Sequence, residues 1–205
     1  MRKTDRSSSP ICASLSKLHP VRHLVAFLLA LTWAGCAPYA LVEPKRTAIG
    51  DLYTVEPQVQ WSAVERGKIV TWTVDGFPLE AVRFVKGLDD GESLLLEQAL
   101  QTKPPTFRAN MTPSEILEFV VDSWSLAGAQ QVRASNLRPR KFANLDGFAF
   151  DMTYLLRNGL EAQGMVVGAV AKGKLHLIIY TGARRHYFPK YKTDVDRMID
   201  SIRIQ

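Results

Sequence analysis

Apolar residues in this 205-residue chain follow two spacings, and one further stretch follows neither. Ile116, Leu117, Phe119, Val120 and Trp124 recur at the three- and four-residue intervals that share one broad helical face. Thr112-Pro113-Ser114-Glu115 stands just ahead of them. A threonine with glutamate three residues on and proline at the first helical position forms a capping box, and Gly128 supplies a stop. A helix is therefore predicted from Pro113 to about Leu126. Val195, Met198, Ile199 and Ile202 predict a second, from about Lys192 to Ser201, with Asp194 and Asp196 suited to the positive helix end.

Between the two helices the spacing shortens to two. Phe148 to Leu155 alternates as a half-buried strand does, and Gln131–Leu137, Met165–Ala171 and Leu175–Thr181 read as further strands. Arg157-Asn158-Gly159 is turn chemistry, and Lys172-Gly173-Lys174 is suited to a tight hairpin. Four strands joined by short turns make an antiparallel meander. Upstream, Ile69–Val74 and Ala81–Phe84 read as a strand pair around Asp75-Gly76-Phe77-Pro78, and Glu92–Gln98 as a short helix or turn.

The stretch without either period runs from Leu24 to Cys36. Arg2, Lys3, Arg6, Lys17 and Arg22 precede it, with Asp5 as the only acid, and Leu24 to Leu31 is continuously apolar. That core is shorter than the roughly 20 residues a spanning helix needs. Trp33-Ala34-Gly35-Cys36 then places small residues before a cysteine. A basic start, an apolar core and a small-residue cleavage site in that order form a signal peptide, and the ending resembles the lipobox of bacterial lipoproteins. The family prefers leucine where Trp33 stands. The resemblance implies cleavage after Gly35 and acylation (palmitate among the chains) of Cys36, and so a membrane partner held through lipid. Each buried methylene of such an anchor contributes about 0.8 kcal/mol, so several chains hold where one is marginal. Ala37, in place of the aspartate that retains Gram-negative members at the inner membrane, implies the outer membrane. Other readings stay open: an uncleaved anchor, secretion with cleavage nearby (for which Pro38-Tyr39-Ala40 is a poor site), or a buried core helix.

Composition sharpens this picture in two ways. Residues 1–35 hold five of the 26 Lys and Arg and one of the 20 Asp and Glu, which leaves 21 basic and 19 acidic residues beyond them. The basic balance belongs mostly to the leader, and a near-neutral remainder gives no electrostatic reason for a nucleic-acid partner. The two cysteines are Cys12, inside the leader, and Cys36, so a chain cleaved before Cys36 has no disulfide. About 170 residues then remain, enough for one domain with a sizeable core. The expected organisation is a signal peptide over 1–35, a tether over 36–50 and a single α+β domain over 51–205.

Candidate chemistry is sparse. Arg184-Arg185-His186-Tyr187-Phe188 is the densest basic and aromatic cluster of the domain, suited to an anionic headgroup, a phosphate or an acidic partner. Its alternative is a solvated loop with Tyr187 and Phe188 plugging the core edge. Trp72 shares a strand face with Val70 and Val74, where core packing is the default and a shallow aromatic groove the alternative. His176 alternates with Leu175 and Leu177 and is expected at solvent or the sheet rim. No metal-ligand spacing occurs, and Asp89-Asp90-Gly91-Glu92 lacks the calcium-loop pattern and reads as a turn. No nucleophile elbow or phosphate-cradling glycine loop is present. Asp75 and Asp151 leave a carboxylate-pair hydrolase open, with Asp151 expected on the exposed side of its strand. No cofactor is expected.

The order of strands, capped helix, four antiparallel strands and closing helix resembles the sheet-and-helix sandwich of the PsbP and Mog1 type, a fold that includes envelope lipoproteins. The resemblance spans about residues 50–205, lies in element order, and transfers no functional residue. The resemblance implies, by analogy only, an accessory or binding module, because fold alone does not fix function. The expected role is a lipid-anchored envelope protein that binds or assembles, with a possible envelope protein as partner. A carrier of a small apolar ligand is the first alternative.

Overall fold

The structure is a computed structural model, and it describes residues 39–95 and 102–205. The leader and Cys36 lie outside these residues, as do residues 96–98 of the helix or turn expected over 92–98. Eleven strands and two helices follow in chain order among the described residues: β1 Ala40–Val42, β2 Thr47–Ile49, β3 Tyr53–Val55, β4 Trp61–Arg66, β5 Ile69–Thr73, β6 Glu80–Leu88, α1 Pro113–Leu126, β7 Gln130–Pro139, β8 Phe148–Leu155, β9 Glu161–Ala171, β10 Lys174–Ala183, α2 Tyr187–Asp200 and β11 Arg203–Ile204. Eight strands form one antiparallel sheet in the order β1-β4-β5-β6-β10-β9-β8-β7, and β11-β3-β2 form a small second sheet. The meander from β7 to β10 is present, with β6 paired to the far side of β10. The fold is α+β.

Each face of the large sheet carries its own core. Leu175, Leu177 and Ile179 of β10 join Phe148, Phe150 and Met152 of β8 under Ile116, Phe119 and Val120 of α1. Ile178 and Tyr180 of β10 join Met165 and Val167 of β9 beneath Phe188, Val195, Met198 and Ile199 of α2, with Ile49, Tyr53 and Val55 of the small sheet on the same side. The central strands β9 and β10 are thus buried on both faces, and alternation there sorts residues between two cores instead of between core and water. His176 shows the consequence. It is 5% exposed instead of lying at solvent or the rim, because it belongs to the α2 side of a strand covered twice.

Helix α1 begins as its capping box dictates. The Thr112 hydroxyl accepts from the Glu115 N–H at 3.3 Å, and the Thr112 N–H donates to Glu115 Oε2 at 2.7 Å. Helix α2 begins five residues earlier than its apolar stripe predicts. Phe188 stacks on Tyr180 with ring centres 4.9 Å apart, and the Tyr180 hydroxyl donates to the Tyr187 and Phe188 carbonyls at 3.0 and 2.8 Å. A contact with β10 therefore sets the first turn, and Pro189 is tolerated there because that turn has unpaired N–H groups anyway.

Part of the segment expected as a tether, Ala40–Val42 and Thr47–Ile49, is strand. β1 pairs with β4 and β2 with β3, because Val42 and Ile49 carry apolar side chains to the α2-side core.

Candidate functional site

The expected cluster lies where the β10–α2 turn meets the β5–β6 connection. Arg184, Arg185 and His186 form the turn and are exposed, and Tyr187 opens α2 half-buried. Phe188, directly after them, is buried. The basic residues therefore stand on a base that Tyr180 and Phe188 hold in place.

The ion pairs at this end among the described residues are Arg184 with Glu161 at 3.3 Å and Lys190 with Asp75 at 2.7 Å. Arg185 and His186 stand outside them. Asp75 also accepts from the Tyr191 hydroxyl at 2.7 Å. Lys190, then Tyr191, hold the Asp75 carboxyl below its ordinary range, and Asp75 raises Lys190 in return. Lys190 also lies over the Tyr191 ring, 4.8 Å from its centre, an attraction between cation and ring face.

Glu80 organises the β5–β6 connection from below. Its side chain is buried, and one oxygen, Oε1, accepts from Thr73 Oγ1 at 2.6 Å, Val74 N–H at 2.6 Å and Asp75 N–H at 2.9 Å. The connection so held presents Phe77 outward, with the Arg83 guanidinium 5.2 Å from the ring centre. Arg83 also lies 5.7 Å from the Trp124 ring centre and donates to Thr181 Oγ1 at 3.0 Å.

Trp72 does not join the exposed cluster. It is 2% exposed, with Phe84 at 4.6 Å and Trp61 at 6.5 Å between ring centres, so it offers core packing and no groove. Through Trp61, which contacts Tyr191 at 5.9 Å, it supports the site from beneath. Lys190, Tyr191 and Glu80 went unread in the sequence. Lys190 and Tyr191 follow the basic cluster within one helical turn, a signal that Pro189 in a first turn offers. A buried glutamate at a strand start offers none.

The acids do not converge. Asp75 and Asp151 are separated by the strands from β6 to β8, three interstrand spacings or about 14 Å, wider than the about 5 to 9.5 Å that a glycosidase pair requires. Asp151 is partly exposed as expected and accepts from Asn136 Nδ2 at 2.8 Å. In the Asp89–Glu92 turn, Lys68 binds Asp89 and Glu92 at 2.5 and 2.6 Å, and Lys174 binds Asp89 at 2.7 Å. Lysines occupy the place a cation would take. His176 Nδ1 and the Tyr53 hydroxyl are buried without hydrogen-bond partners, and their rings meet edge-on at 6.3 Å. Burial first, and Lys174 second, push His176 down to about 4.

No family model matches the chain, and no curated protein sequence does. Its fold is similar to the solution structure of cyanobacterial PsbP (CyanoP) from Synechocystis sp. PCC 6803, with a TM-score of 0.51 and 15% identity over 84% of this chain and 96% of that one. The crystal structure of LpqN, involved in cell envelope biogenesis of Mycobacterium tuberculosis, aligns with a TM-score of 0.44 and 9% identity over 82% of this chain and 86% of that one. At 15% identity the first likeness establishes a shared PsbP-like architecture. Among the described residues no helix is long and apolar enough to cross a membrane.

Proposed function

We propose that this chain is a bacterial envelope lipoprotein, anchored through acylated Cys36 at the outer membrane and facing the periplasm, whose domain is a non-catalytic binding or assembly module. The observation that carries the reading is the exposed turn Arg184–His186, in which Arg185 and His186 stand outside the local ion pairs among the described residues. A projecting arginine beside a histidine donor suits the acidic face of another protein, where charge complementarity sets register and encounter rate. Catalysis needs groups converging on one point, and the candidate acids Asp75, Asp151, Asp89 and Glu92 are dispersed, each paired with a lysine or arginine.

A photo-crosslinking residue in place of Arg185, compared in intact cells with one in place of Asp146, tests the module. Capture of one discrete protein from position 185 and not from 146 is expected. Equal capture at both positions, or a co-eluting lipid with no protein, overturns the reading. For the anchor, Cys36→Ser is expected to release the protein from the membrane fraction or leave it as unprocessed precursor. Normal processing with unchanged attachment contradicts lipidation.

A further inference from the structure

Cys36 stands three residues before Tyr39, a stretch that spans at most about 11 Å when fully extended. An acylated Cys36 would therefore keep Tyr39, next to β1, within about 11 Å of the lipidated residue. β1 is also one of the two edges of the eight-stranded sheet among the described residues.

The residues presented there are apolar. Tyr39 is 60% exposed, Leu41 63% and Phe77 62%. They share one side of the sheet. Ala40 pairs with Ala63 and Val42 with Trp61, both of the α2-side core, so Leu41 points to the opposite side. Arg83, between Val82 and Phe84 of that core, points the same way as Leu41 and meets the Phe77 ring. Leu41 is level with Ser62 and Thr73, about 10 Å across two strand spacings from the connection that carries Phe77. Helix α1 packs along β7 and its Trp124 meets Arg83 beside this corner, yet Tyr39, Leu41 and Phe77 stay exposed.

We propose that the corner formed by β1 and the β5–β6 connection, with Tyr39, Leu41 and Phe77 as its apolar contacts, docks the domain on the lipid surface that holds Cys36. The proposal rests on the lipid-anchor reading. Its occupant follows from the short link, which brings acyl chains to this corner before any other partner can reach it. The contact is shallow. Among the described residues the outer N–H and C=O groups of β1 have no strand partner, and hydrocarbon offers them none, whereas a tyrosine and flanking apolar side chains suit the headgroup boundary. The β10–α2 turn stands four strand spacings, about 19 Å, from β1, so docking leaves Arg185 and His186 facing neighbouring proteins.

The mature chain with Cys36 blocked by lipid has no other cysteine, so Leu41→Cys, Phe77→Cys and Asp146→Cys each give a single labelling site. Asp146 lies on the opposite end of the sheet with its side chain 94% exposed. The full lipoprotein, purified from membranes and labelled with a polarity-sensitive fluorophore, is reconstituted into phosphatidylethanolamine and phosphatidylglycerol vesicles. Lipids brominated near the headgroup end of the acyl chain are expected to quench labels at 41 and 77 by about twofold or more, lipids brominated at the chain terminus less, and the label at 146 not at all. Equal emission at all three positions in protein whose Cys36 acylation is verified by mass spectrometry overturns docking and leaves the anchor standing. A free thiol at Cys36 overturns both. A concentration-dependent shift at position 41 in lipid-free detergent assigns the edge to a second copy and overturns the proposal.

Discussion

Replacing Glu80 with alanine removes the acceptor that shapes the β5–β6 connection. Glu80 Oε1 receives three donors, two of them the backbone N–H groups of Val74 and Asp75. Each bond is worth on the order of 1 to 3 kcal/mol, and orphaned donors cost most where water cannot reach them. Val74 and Asp75 are exposed, so water can take over there, and the buried Thr73 hydroxyl keeps the Glu80 carbonyl at 2.9 Å. The net loss expected for Glu80→Ala is therefore about 3 kcal/mol, well below three times a single bond. Glu80→Gln keeps an oxygen at Oε1 and places its amide where Oε2 has no hydrogen-bond partner, so about 1 kcal/mol is expected. Urea unfolding read by the fluorescence of buried Trp61 and Trp72 measures both, with a midpoint drop of about 1.5 M for alanine. Amide exchange at Val74 and Asp75 should quicken in the alanine variant before global unfolding. If alanine falls within about 0.5 kcal/mol of the parent, or glutamine costs as much as alanine, the three-donor account is wrong.

Two further perturbations probe the cores. His176 titrates at about 4 in the folded chain against 6.5 ordinarily, so between those values the unfolded chain binds the extra proton. Stability should fall by about 2 kcal/mol as pH drops from 6.5 to 4, and His176→Leu should flatten that slope in urea titrations at each pH; an unchanged slope contradicts the assignment. Below pH 4 a second loss is expected down to about 2, as protonation removes Asp89 from Lys174 and Lys68. Gly168→Ala places a Cβ against Leu177 Cδ2, 2.7 Å from the His176 carbonyl oxygen and 3.1 Å from Phe148 Cζ. Crowding between rigid strands should cost about 2 to 3 kcal/mol, or about 5 to 10 °C in thermal unfolding, and a change under about 2 °C would refute it.

Helix α1 and strand β8 match their predicted bounds, since a capping box and an alternating run are local signals that tertiary contacts had no need to override. The β10–α2 turn was also legible as a basic and aromatic cluster. Its support was not: Tyr180, Glu80 and Tyr191 come from distant positions, and only β6–β10 pairing and the packing of α2 bring them together. Trp72 took its default place in the core, whereas His176 was misplaced by an ambiguity of the pattern. Period-two alternation says that two faces differ, but it cannot say whether the second face meets water or another core. The short strands β1, β2, β3 and β11 went unseen because two or three residues carry too little period to detect, and long-range pairing forms them.

By itself the sequence determined the antiparallel meander, the capped helix and the near-neutral charge balance of residues 36–205. These depend on neighbours within a helical turn or a strand, where spacing and side-chain chemistry act directly. Only the tertiary structure decided that the central strands are covered on both faces, that Glu80 clamps the Phe77 connection, and that part of the chain expected as spacer is an edge strand. Those features depend on which surfaces meet, and burial across long chain separations leaves no periodic trace in the residues it brings together.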